Sequence, residues 1–238
     1  MHFHLPKPLH GWREFVGEVG IIVIGVLIAL IGESIFEAWS WDRKVETATE
    51  AMNAEIRIAL LDTLEADRMG NCSDDQLDFI QSRLLAKDWS GITDAPIKWN
   101  FYQRHFYGED AYTSAVASQV AEHLSQKQLQ KYAAAYTEIR KIRQHQEDGW
   151  STDATFALLK VPNLPKTDAI QLEQLNALAK LRDSISSIRK QGKQLRDDAA
   201  LDFGVRITLA DVSRASHGRD MIASCEVAAA DVRKLEAG

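Results

Sequence analysis

Residues 19–32 read VGIIVIGVLIALIG and carry no charged side chain. At about 1.5 Å per residue a helix over this run is roughly 21 Å long, short of the ~30 Å hydrocarbon core of a bilayer. The flanks extend it, with Phe15 and Val16 before and Ile35, Phe36 and Ala38 after. Trp12 on one side and Trp39 and Trp41 on the other suit interfacial belts. The pattern predicts one transmembrane helix over 12–41, a short tail over 1–11 and an extramembrane domain over 42–238. Two other readings stand beside it. A buried core helix would have to be apolar on every side, which is unusual in a chain of this size. A cleavable signal peptide would use Gly32-x-Ser34 as its small-x-small site, with Glu33 and Glu37 as poor company there.

The expected span has two faces. At 100° per residue, Glu18, Ile22, Gly25, Ala29, Gly32 and Glu33 fall on one stripe, and Val23, Ile24, Leu27, Leu30 and Ile31 lie opposite. Small residues let a second helix approach closely, whereas bulky aliphatics suit lipid. The stripe is therefore the expected helix–helix contact in the membrane. The contrasting reading is chance, since Gly and Ala are frequent in spans. Glu18 and Glu33 are roughly 22 Å apart along the helix, each just inside the hydrocarbon boundary of a centred span. The bland expectation is a carboxylate reaching the headgroups or bonding a neighbouring helix, and the sharper one is a ring handling ions or protons in an oligomer.

The chain has 238 residues, 45% hydrophobic and 26% charged, which is a globular and not a disordered composition. Its net charge of −6, with no basic stripe, argues against nucleic acid as a partner. Two cysteines, Cys72 and Cys225, exclude a disulfide framework and a four-thiolate zinc site but leave one possible pair. Counting positive charges does not orient the span, because Lys7 and Arg13 face Arg43, Lys44 and Arg57. Both cysteines lie in the C-terminal portion, and export would allow them to pair. The expected topology places the N-terminus in the cytoplasm and the large domain in the periplasm.

Beyond Trp41 the pattern is helical. Val45, Ala48, Met52, Ile56, Leu60 and Leu64 recur at helical spacing, and neither Pro nor Gly interrupts 35–69. The anchor is expected to run into this helix and stop at Gly70-Asn71, with Ser73 opening a second helix to about Lys87. Ser125-Gln126-Lys127-Gln128 is a capping box opening a long helix that Pro162 and Pro165 stop. Thr167 or Asp168 caps a partner carrying Leu178, Leu181, Ile185, Ile188, Gly192, Leu195 and Ala199 on one face, closed by Gly204. Ile207 and Leu209 suit a short strand or a helix. A last helix near 219–236 turns Met221, Cys225, Ala229, Val232 and Leu235 inward. The fold class is all-α: a transmembrane helix continuing into an antiparallel bundle of long helices.

Little in the chain points to catalysis. Trp99, Phe101, Tyr102, His105, Phe106 and Tyr107 crowd six rings into nine positions, either as a surface for a partner or ligand or as core packing. His2, His4 and His10 form no preformed metal site. Asp202-Phe203-Gly204 and His217-Gly218-Arg219-Asp220 echo kinase signatures in reversed order, with no Gly-rich loop or strand lysine. No metal, cofactor or enzyme activity is expected.

Gly17-Glu18 through Ala29-Leu30 resembles the anchor of a family of uncharacterised bacterial single-pass membrane proteins. Those chains share an N-terminal G-E-[IV]-x-[IL]-[IV]-x-[IV]-G-[IV]-[IL]-[IL]-A-L core followed by a helical domain. The resemblance implies topology and a bacterial inner-membrane location, and no activity. The expected function is a membrane-anchored scaffold or interaction protein, with the lipid bilayer and a homo-oligomer or larger membrane complex as partners. The alternatives are an accessory subunit of a sensor or transporter, or an ion-conducting oligomer using Glu18 and Glu33.

Overall fold

The computed structural model describes residues 11–97, 107–161, 165–208, 210–211 and 216–237. The described residues form an all-α fold with no strand among them. Its helices are α1 (Gly11–Leu85), α2 (Trp89–Asp94), α3 (Asp110–Ala117), α4 (Gln126–Ala157), α5 (Asp168–Asp202) and α6 (Ser216–Ala237). Two 3-10 turns, Val120–His123 and Leu158–Lys160, precede and follow α4.

Helix α1 is one uninterrupted rod of 75 residues, about 110 Å long at ~1.5 Å per residue. Its first part is long and apolar enough to cross a membrane, and that window has no buried residue. Its second part is the central helix of the bundle, where Met52, Ile56, Leu60, Leu77, Ile80 and Leu84 are buried at helical spacing. The expected break at Gly70-Asn71 does not occur. Gly70 is absent from the glycines with a positive φ, so it does not end the helix as a left-handed cap. It serves packing instead: a Cβ there would sit 2.5 Å from Cδ of Arg189 on α5. Ser73, expected to cap a new helix, is buried within the same rod.

The true stop comes later. Lys87 takes φ 56, the amide of Asp88 donates to the carbonyl of Arg83 at 2.9 Å, and that of Lys87 to Leu84 at 3.1 Å. This is a Schellman closure with a lysine where glycine is usual. Asp88 then caps α2 by accepting from the Gly91 amide; that bond, helped by Ser90 and Arg83, lowers its pKa against the opposing effect of desolvation.

The capping box of Ser125 and Gln128 opens α4, and the Thr167 side chain caps α5 by accepting from Ile170 N. Helices α4 and α5 are antiparallel, joined at the end remote from the apolar segment. There Gln171 donates to the Leu84 carbonyl and Lys87 pairs with Asp168. Helix α5 descends along α1, with Arg182 against Asp78 and Arg189 against Asp67, and ends where Lys131 of α4 meets Asp202. Every residue of the expected α5 face, from Leu178 to Ala199, is buried. The left-handed Gly204 (φ 65) follows the C-cap residue Phe203, and the Val205 amide folds back to the Ala199 carbonyl. Ile207 lies in irregular chain, not a strand, and Leu209 lies outside the described residues.

Helix α6 rises parallel to α1 and packs chiefly on it. Cys225 is joined to Cys72 by a disulfide, with the two Cα atoms 5.8 Å apart. Ala229 and Val232 are buried, whereas Leu235 is half exposed, contrary to its expected inward position. The Met221 side chain lies outside the described set. Arg68–Glu226 and Arg233–Asp75 flank the disulfide as exposed ion pairs.

Helices α5 and α1 approach closely at Gly192, where a Cβ would lie 2.8 Å from Cβ of Thr63. Thr63 is buried and bonds the Leu60 carbonyl of its own helix, so it has no room to yield. Gly192→Val should therefore wedge α5 from α1 and cost roughly 2–3 kcal/mol, read as a lower midpoint in urea unfolding.

Candidate functional site

The residues expected to meet another helix in the membrane, Glu18, Ile22, Gly25, Ala29, Gly32 and Glu33, are all exposed on α1. No other part of the described chain covers them: a Cβ at Gly25 or Gly32 would meet nothing within 4 Å. Of the aromatic segment, Trp99, Phe101, Tyr102, His105 and Phe106 lie outside the described residues. Tyr107 is 3% exposed and sits in the core cluster, so it is a packing residue and not part of a partner surface. Burial, then the nearby Asp62 and Glu65, push its hydroxyl well above the usual phenol range. His2, His4 and His10 also lie outside the described residues. Among the described residues no cluster of His, Cys, Asp and Glu has the arrangement of a metal site.

A polar layer crosses the bundle near Gly70. The Asp67 carboxylate accepts from Arg189 Nε at 3.2 Å and from Arg196 at 3.5 Å, and Arg189 also reaches Asp74. His145 and Gln191 meet at 3.1 Å between α4 and α5. This layer holds helices in register, because each partly buried charge has a partner.

The more open arrangement lies where α1 leaves its apolar segment. The chain Asp110–His123, comprising α3 and the following 3-10 turn, descends along one face of α1 and is clipped at both ends. At the upper end the Glu55 carboxylate accepts from the amides of Asp110 and Ala111 at 3.0 and 3.2 Å. It thus caps α3 from a different helix, since the N-cap residue Glu109 makes no side-chain cap bond of its own. At the lower end Trp41 stacks on His123, ring centroids 3.9 Å apart, with Lys44 Nζ 4.1 Å over the same indole. Two further contacts hold α3 to α4. Glu109 accepts from Arg140 and Arg143, chiefly the bond from Arg143, which keeps its carboxyl below the usual range. Tyr112 stacks on Tyr136 at 4.8 Å. The Tyr136 hydroxyl donates to Glu55 at 2.7 Å; burial, then that carboxylate, push its pKa far above the ordinary value.

Between the two clips the facing residues are small. Ala48 and Ala51 on α1 oppose Ala111, Ser114, Ala115 and Ser118, and the helices leave an open groove of about 650 Å³. The volume falls in the range of small-molecule sites. Its lower end carries Arg43 and Lys44, and Arg43 also lies 4.9 Å over the Trp39 ring. Its upper end carries Asp110. The cations after two tryptophans were visible in sequence. The groove was not, because α3 is placed by Glu55 and Trp41, two contacts without a local signature.

Comparison with protein-family models, curated proteins and solved structures finds no match to this chain.

Removing the Glu55 cap should loosen the groove wall. Glu55→Ala strips two amides of their acceptor and leaves the Tyr136 hydroxyl with only a 3.4 Å contact to the Met52 carbonyl. The expected cost is about 2–3 kcal/mol, with amide exchange rising first in 110–117. Glu55→Gln keeps an acceptor and should cost clearly less.

Proposed function

We propose that this chain is a membrane-anchored helical scaffold or interaction protein of the bacterial envelope. The observation that carries the reading is the continuity of α1. One helix bears an apolar stretch with no buried residue and then becomes the centre of a packed domain. Nothing else in the described chain covers that surface, whereas a bilayer would cover it without cost to the backbone, whose polar groups are paired within the helix. The anchor resemblance at Gly17–Leu30 supports the same location.

In this reading the N-terminus faces the cytoplasm and the helical domain the periplasm. The Cys72–Cys225 disulfide supports that orientation, since such bonds persist in oxidising compartments. It closes a loop of 153 residues, worth about 4–5 kcal/mol in the chain-entropy model. A reporter fused after Gly238 should be active only in a form that works after export. Activity confined to a cytoplasmic reporter would reverse the orientation.

The uncovered stripe of Gly25, Ala29 and Gly32 is the surface through which the anchor self-associates. Bilayer-embedded helices associate by close packing and interhelical hydrogen bonds, because lipid tails are as apolar as leucine. Gly25→Ile should therefore lower crosslinked dimer in native membranes by roughly ten-fold, whereas Leu27→Ile on the other face should leave it unchanged. Wild-type crosslinking by Gly25→Ile would remove self-association from the proposal and leave a solitary anchor.

A further inference from the structure

The groove between α1 and α3 carries its residue types in a fixed order along the axis. Counting from the apolar segment, Trp39 and Trp41 stand below the groove on α1; its own lining starts at Arg43 and Lys44, runs through the alanine- and serine-lined stretch, and ends at Asp110. With Trp39 at the edge of the hydrocarbon, Arg43 lies about 6 Å further along α1 and Ala51 about 18 Å. The headgroup layer on each side of a bilayer is roughly 5–8 Å deep. The cationic end of the groove therefore lies among the lipid phosphates, and its apolar length points away from them.

The charges are held in that order. Both cations lie over indole rings, which orients them without neutralising them. Asp42 and Glu46, the acids beside them in sequence, do not line the groove. The acid that does, Asp110, is at the opposite end, at the level of Glu55. An anionic group entering this space is attracted to the membrane-facing end and repelled from the other. The small side chains between leave width for a hydrocarbon chain, and of their three hydroxyls those of Thr47 and Ser118 are already bonded to carbonyls of their own helices.

From this we infer that the α1–α3 groove binds one phospholipid of the membrane in which α1 sits. The phosphate rests between Arg43 and Lys44, and one acyl chain is drawn up along Ala48, Ala51 and Ala115. The inference rests on the membrane-anchored reading above. It adds a lipid site outside the span. It also gives the double clip on α3 a purpose, since a groove lined by small residues stays open only if its walls are held apart from outside.

The test uses the full chain in vesicles of equal parts phosphatidylethanolamine and phosphatidylglycerol, with a trace of phosphatidylglycerol bearing a photoreactive group at the end of one acyl chain. Flotation reports insertion, and mass spectrometry of the illuminated protein reports where label attaches. The expected result is label within 43–51 and 110–120 as well as within the span. Ser114→Trp fills the groove from an exposed position and should abolish the label at 110–120 while the span is labelled as before. Arg43→Glu with Lys44→Glu should lower groove label by about ten-fold or more, and Arg57→Glu on the same helix should not. Unchanged circular dichroism shows that each variant folds. A protein that floats but is labelled only over 15–39, or a Ser114→Trp protein labelled like wild type, overturns the lipid site and leaves the anchor intact. A protein that does not float overturns the anchor, and the lipid site with it.

Discussion

The hydrogen-bond ladder of α1 is the constraint on which the rest depends. A single helix must serve as the uncovered apolar segment and then as the element on which α5 packs along one face and α6 along another. Any break between them would make a hinge, and the domain would lose a fixed position relative to the apolar segment. The chain avoids this by placing Gly70, the residue most able to end the helix, where its missing side chain is filled by Arg189. The glycine that invites a stop is thereby used for packing, and the helix runs on to Lys87, where it closes without glycine.

Side-chain size then decides which helices close and which remain apart. At Gly192 the absence of a side chain lets α5 reach Thr63, and the two helices share a continuous core from Leu178 to Ala199. Along α3 small residues have the opposite effect. Ala48, Ala51, Ala111 and Ala115 face one another between two rigid clips, so the space between is not consumed. The difference lies in where the backbone is fixed: α5 is tied to α1 along its length, whereas α3 is held at its ends, by Glu55 above and, through His123 of the turn that follows it, by Trp41 below.

Polar contacts in this fold position elements more than they stabilise them. Exposed pairs such as Arg68–Glu226 and Lys87–Asp168 contribute little, being screened and entropically costly. Helix α6 accordingly depends on buried Ala229 and Val232 and on the disulfide to Cys72. The partly buried pairs of Asp67 with Arg189 and Arg196 act differently, because a charge stranded there would be costly and the helices have one register that avoids it.

Local rules carried much of this architecture. Helical periodicity was legible in α1, α4 and α5, the capping box at Ser125 and a cap at Thr167 or Asp168 were written in short motifs, and the apolar window at 19–32 stood out by composition alone. These features depend on neighbours within a turn or two, which a sequence displays directly. Everything that depended on distant partners was decided by the tertiary structure. Gly70 reads as a helix end until Arg189, from α5, occupies its face. Tyr107 reads equally as part of a partner surface or as core packing until its burial decides for the core. The disulfide needed the Cα approach of Cys72 and Cys225 from helices far apart in the chain, and the groove needed Glu55 to cap a helix it does not belong to. A sequence records which residues are able to make such contacts; only the packed backbone determines which of them meet.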